Sequence, residues 1–148
     1  MSKMQFRQIG PDGLAPGRSA LFSKTLSDTD AMLYAGISGE MTPLCLNETF
    51  AQKTPLKTRT VHPMLVAALT GGAILRLLPP AVQTVSREFR FPAPVFAGDT
   101  VTARAQIVSA DPETRQVELE VACYNQREEL VLEGRCTEIL VTGEGMGD

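Results

Sequence analysis

Hydrophobic and polar positions alternate through most of the second half of the chain. Val101, Ala103, Ala105 and Ile107 alternate with Thr102, Arg104 and Gln106, and Val117, Leu119, Val121 and Cys123 repeat the pattern against Glu118 and Glu120. An apolar residue at every second position marks a strand with one buried face. Asp111-Pro112-Glu113-Thr114 between the two runs suits a type I turn, so a hairpin is predicted there. Leu130, Leu132, Gly134 and Cys136 alternate with Val131, Glu133, Arg135 and Thr137, after which the apolar set moves by one to Ile139 and Val141. A bulge near Thr137 or Glu138 would bring both sets inward, which the pleat alone cannot do. Residues 85–91 and 20–25 supply two further strands.

Between the early strand and the late ones the period changes. Met64, Leu65, Val66, Ala67, Ala68, Leu69, Ala73, Ile74, Leu75, Leu77 and Leu78 leave almost no polar face, which predicts a helix over residues 63–78 surrounded by protein. Pro63 suits its first turn and Pro79-Pro80 its end. At 1.5 Å per residue such a helix runs roughly 24 Å, too short and too interrupted by Gly71, Gly72 and Arg76 for a membrane span. Ser27 with Asp28 and Asp30 predicts the cap of a shorter helix that Gly39 ends, with Met32, Leu33 and Ile37 turned inward. Across residues 40–60 only 48–53 reads as helical. The order is strand, short helices, one long buried helix, then four long strands. That segregation points to α+β: an antiparallel β-sheet wrapped around a long central helix, the hot-dog arrangement.

Composition narrows the function classes. The 148 residues are 43% hydrophobic and 21% charged, one ordinary globular domain spanning 1–148, with residues 1–17 a loose lead-in rich in Gly and Pro. A formal charge of −3 offers no basic field for nucleic acid. Three cysteines make no disulfide framework, and one histidine builds no His-rich metal site, so neither metal nor cofactor is expected. The first ten residues lack the basic-then-apolar run of a signal peptide. The expectation is a cytoplasmic protein with no membrane partner.

Three segments carry a resemblance. Ser38-Gly39-Glu40-Met41-Thr42-Pro43-Leu44-Cys45-Leu46 resembles the S-G-D-x-N-P-x-H motif of MaoC-like hot-dog dehydratases, among them the (R)-specific enoyl-CoA hydratases. Val61-His62-Pro63-Met64-Leu65 resembles the V-H-G-M-L that opens their central helix. Phe89 to Thr100, with Pro94-Val95 and Gly98-Asp99, resembles their F-x-x-P-V-x-x-G-D connection with extra length before Val95.

The resemblance implies reversible addition of water across a 2-enoyl thioester of CoA or an acyl carrier protein, as in fatty-acid metabolism. In the family an Asp activates the water, a His five residues later handles the proton at Cα, and a backbone N–H of the helix-opening Gly holds the thioester oxygen. Here Glu40 stands in the Asp position and Cys45 in the His position, so these two are the expected catalytic residues. Thr42 replaces the Asn, Pro63 the Gly, and Gly71 a Ser of the catalytic network; with His62 and Met64, beside the acyl tunnel, they form the expected substrate-binding set. Pro has no N–H to give, and a thiol is a poor substitute for imidazole.

Two function classes therefore stand side by side: a hydratase using Glu40, with water, Cys45 or His62 serving Cα, or a catalytically silent acyl-thioester-binding subunit. A thioesterase with Cys45 as nucleophile is a third. Asp99 reads as a turn-former, and Cys123 and Cys136 as core. The family pairs its sheets edge to edge, which implies a homodimer or a heterodimer with a related subunit.

Overall fold

The computed structural model describes residues 14–79 and 81–141. In chain order the elements are β1 (Ser19–Thr25), α1 (Asp28–Ser38), α2 (Pro43–Leu46), α3 (Glu48–Gln52), β2 (Thr60–Val61), α4 (Pro63–Leu77), β3 (Val82–Arg90), β4 (Val95–Phe96), β5 (Thr100–Ala110), β6 (Gln116–Tyr124) and β7 (Leu130–Leu140). The five long strands form one antiparallel sheet in the order β1-β5-β6-β7-β3, and β2 pairs with β4 in a separate two-stranded ribbon. α4 packs on β1, β5 and β6, so the hot-dog architecture read from the sequence is the one observed.

The core lies between that helix and the concave sheet face. Val66, Leu69, Ala73, Ile74 and Leu77 of α4 meet Val101, Ala103, Ala105 and Ile107 of β5, and Val117, Leu119, Val121 and Cys123 of β6. Cys136 of β7 is equally buried. Burial pushes the Cys123 thiol up to about 12 and the Cys136 thiol to about 11, as expected of inert core cysteines. The β5–β6 hairpin turns as predicted: Asp111 Oδ1 accepts from the Glu113 N–H at 2.9 Å, and Arg115 closes the loop in the left-handed region. Asp99 likewise fixes the β4–β5 turn, taking the Phe96 N–H at 3.0 Å and the Gln126 amide at 2.8 Å.

Gly134 is a position that only glycine fits. A Cβ there would lie 2.0 Å from the Glu88 carbonyl oxygen of the neighbouring strand β3. Gly134→Ala should lower stability by roughly 2 kcal/mol, a fall of about 4–8 °C in a thermal melt.

Several expectations are corrected. The strand predicted over 85–91 begins at Val82, and the bulge expected near Thr137 or Glu138 lies across from them in β3: Thr84 pairs with Glu138 and Ser86 with Thr137, leaving Val85 extra. β7 keeps its phase to the end because Glu138 points inward, only 1% exposed, with ion-pair and hydroxyl partners that make a buried carboxylate tolerable. Val141 lies beyond the strand and is half exposed. In α1 only Ala35 is buried; Met32, Leu33 and Ile37 are 66%, 59% and 87% exposed, because the helix leans on α2 and not on the sheet. Nor is α4 covered all round, since Met64 and Leu75 are exposed on the flank that the sheet leaves open. The four-residue α2 went unpredicted, being too short for a periodic pattern. Of the lead-in, Leu14 packs against the core and Gly17 donates to the Ile107 carbonyl at 2.8 Å, so this part is anchored; residues 1–13 and Pro80 lie outside the described residues.

The cap of α1 is as predicted. Ser27 Oγ accepts from the Asp30 N–H at 3.2 Å, and Asp30 Oδ2 accepts from the Ser27 N–H at 2.9 Å and pairs with Lys24. The Ser27 N–H, then the Lys24 ammonium, hold the Asp30 carboxyl below its ordinary value. A lowered folded value means that the contribution is whole above the usual carboxylate range and lost as pH falls through it. Amide-exchange protection of α1 should therefore drop with acidification, whereas an Asp30→Asn variant should show weaker protection at pH 7 and a flatter profile.

Candidate active site

Three local devices bring the candidate residues together. Gly39, at φ 76°, ends α1 and swings Glu40 back across its end. The β2 strand delivers Thr60 and Val61 into the interior and leaves His62 as the cap of α4. Pro43 starts α2, which buries Cys45 beneath that strand.

At the centre Glu40 Oε2 meets His62 Nε2 in a close polar contact, with the carboxylate side chain 52% exposed and the imidazole 21%. His62 Nδ1 accepts from the Met64 N–H at 3.1 Å. An accepting Nδ1 places the proton of the neutral ring on Nε2, where it faces Glu40. Tyr34, on α1, stacks on the imidazole with ring centroids 4.8 Å apart and planes inclined by 26°. Burial first, and then the Glu40 charge, push the Tyr34 phenol up, so it stays a neutral donor beside the pair. Cys45, 8% exposed, has its Sγ 3.6 Å from Thr60 Oγ1.

Thr42 caps α2 without a side-chain hydrogen bond. Pro63 occupies the first turn of α4 and supplies no N–H; the next two are engaged, Met64 N by His62 Nδ1 and Leu65 N by His62 O at 2.9 Å. Met64 then lines an open cleft of about 480 Å³ with Ala67, Ala68, Arg87, Phe89 and Phe91. Gly71 lies further along the helix, where a Cβ would be 3.4 Å from Arg87 Nη1.

Glu40 and His62 thus meet at the front of α4, Met64 follows two residues on, Gly71 lies further along the helix, and the buried Cys45 is turned to Thr60. Tyr34 and Arg87 escaped sequence reasoning. Tyr34 carried no signal beyond its place in α1, but Arg87 falls in the apolar alternation between Val85 and Phe89, which marks an inward-facing charge. Among the described residues no three His, Cys, Asp or Glu side chains stand together to hold a metal, and no helix is long and apolar enough to cross a membrane.

An antiparallel sheet packed on one long apolar helix, with Glu40 meeting His62 at the front of that helix, defines a hot-dog protein. The chain belongs to the MaoC-like domain family, whose model matches residues 13–128. It is 36% identical over 135 residues to the (R)-specific enoyl-CoA hydratase of Rhodospirillum rubrum, covering 90% of this chain and 92% of that one. The 3-hydroxybutyryl-CoA dehydratase of Methylorubrum extorquens is 32% identical over 131 residues, 88% of this chain and 83% of that one. Among solved structures, the (R)-hydratase from A. caviae involved in PHA biosynthesis superposes with a TM-score of 0.82 at 26% identity, covering 86% of this chain and 97% of that one.

Proposed function

We propose that this chain hydrates 2-enoyl thioesters, or dehydrates 3-hydroxyacyl thioesters, with Glu40 transferring the proton, His62 positioning its carboxylate, and no cofactor. The observation that carries the reading is the Glu40–His62 contact at the front of α4, where the Met64 N–H donates to His62 and Met64 itself goes on to line the cleft. Glu40 takes a proton from water as the oxygen bonds to Cβ. Glu40 then hands that proton to Cα, while His62 Nε2–H stays hydrogen-bonded to the carboxylate and holds it in place. Water is added, and both residues end as they began. Tyr34 holds the imidazole by stacking. Cys45 acts as a wall behind the pair and not as the acid, since its thiol is turned toward Thr60. Thr42, Pro63, Met64 and Gly71 shape the way in for the acyl group.

A silent partner subunit is the second reading, favoured by one specific feature. Pro63 has no N–H, and the Met64 N–H is engaged by His62, so the front of α4 offers no free donor to a developing oxyanion. Either version is an assembly in the cytoplasm, as a homodimer or with a related hot-dog subunit. The exposed Met32, Leu33, Ile37 and Leu75 and the free edge of β3 supply surface for it.

Purified protein mixed with crotonyl-CoA and longer 2-enoyl-CoAs, with loss of enone absorbance followed, tests the proposal. Turnover supports the enzyme. Acyl-CoA binding without turnover at any chain length, alone or after co-expression with a related subunit, refutes it in favour of the silent form.

A further inference from the structure

The cleft beside α4 is apolar except at one place. Met64, Ala67 and Ala68 form its helical wall, Phe89 and Phe91 face them, and Arg87 alone brings charge. A guanidinium among hydrocarbon needs a partner. It has one in Glu138, whose Oε1 accepts from Arg87 Nε at 3.0 Å and Nη2 at 2.8 Å, while Oε2 accepts from Thr84 at 2.8 Å. These bonds hold the plane of the guanidinium and leave Nη1 without a protein acceptor among the described residues. Nη1 is the nitrogen that faces Gly71, where a missing side chain keeps the space in front of it open.

We infer that Arg87 Nη1 recognises the far end of the acyl chain, and that the site takes acyl thioesters whose tail carries a neutral oxygen acceptor, a keto or hydroxyl group. The inference rests on the acyl-thioester reading of the cleft. Gly71 is seven steps along the helix from Met64, so the oxygen sits roughly 10 Å beyond the front of α4. A plain alkyl tail would cover Nη1 and remove its water without replacing the hydrogen bond. A carboxylate tail would meet a guanidinium already neutralised by Glu138, and would crowd a second negative charge against a buried one.

Three 2-enoyl-CoAs of equal length test this, one with a plain alkyl tail, one with a keto group near its end and one with a terminal carboxylate. The keto substrate should show the highest kcat/KM, at least about tenfold above the alkyl one. The double variant Arg87→Leu with Glu138→Leu should lose that preference and favour the alkyl tail. Gly71→Ser, which offers Nη1 a hydroxyl of its own, should erase the preference if the double variant fails to fold. Equal values in the native protein, a preference for the carboxylate, or a keto preference that survives these substitutions would overturn the assignment. Calorimetric binding of the corresponding saturated acyl-CoAs, which cannot be hydrated, separates the two readings. A keto preference in binding without turnover upholds Arg87 and sinks the hydratase; turnover without preference does the reverse.

Discussion

Glu40→Gln should reduce hydration of 2-enoyl-CoA by about 10²–10⁴-fold while leaving the melting temperature almost unchanged. Glutamine keeps a carbonyl oxygen to accept from His62 Nε2, so the imidazole stays in place, but the amide cannot take a proton from water. The loss should fall on kcat with KM little altered, since only the transition state uses the proton acceptor. His62→Asn is the companion experiment. Asn is a good helix cap, so α4 keeps its start while the imidazole is removed. Cys45→Ser should leave most of the rate intact. A protein whose turnover survives Glu40→Gln but disappears with Cys45→Ser would place the chemistry on the thiol and overturn the proposed pair.

The second large effect concerns stability. Arg87→Leu leaves the Glu138 carboxylate, 1% exposed, with Thr84 as its remaining side-chain partner. An uncompensated buried charge costs about 3–5 kcal/mol, a drop of roughly 6–20 °C in a thermal melt. Replacing both residues by Leu removes the charge together with its counter-ion and should restore stability to within about 1 kcal/mol of the parent, or above it. Urea denaturation of the parent, the two single variants and the double variant closes the cycle and yields the coupling directly. A single variant as stable as the parent would mean that Glu138 reaches water or another partner, and would count against a packed ion pair at this end of the cleft.

Short-range chemistry was readable along the chain. The alternation in β5 and β6, the Asp111 turn, the Ser27–Asp30 cap and Pro63 at the front of α4 each depend on neighbours a few residues away, and all stand where the pattern put them. Failures came where a local rule was applied to a residue whose partner is distant. Glu138 stands where the alternation calls for an apolar residue, and Ile139 and Val141 beyond it shift the apparent phase by one. Its partner Arg87 lies 51 residues away, so the strand keeps its phase and the bulge falls in β3. Met32, Leu33 and Ile37 satisfied the pattern of a core-facing helix, yet α1 has no sheet beneath it.

The candidate site divides along the same line. Glu40, Cys45, His62 and Pro63 could be picked out because each falls in a short segment that resembles a family motif. Which of them meet could not, because a side chain's direction follows from how its segment is carried. The family resemblance pairs Glu40 with Cys45, but the left-handed Gly39 and the β2 strand bring Glu40 to His62 and turn Cys45 to Thr60.

Composition, alternation and caps by themselves determined that this chain forms strands of a given phase around one apolar helix, since backbone pairing and burial follow a fixed period. Tertiary structure alone decided which charges meet. Contacts between segments depend on the curl of the sheet and the path of its connections, and no local period encodes either.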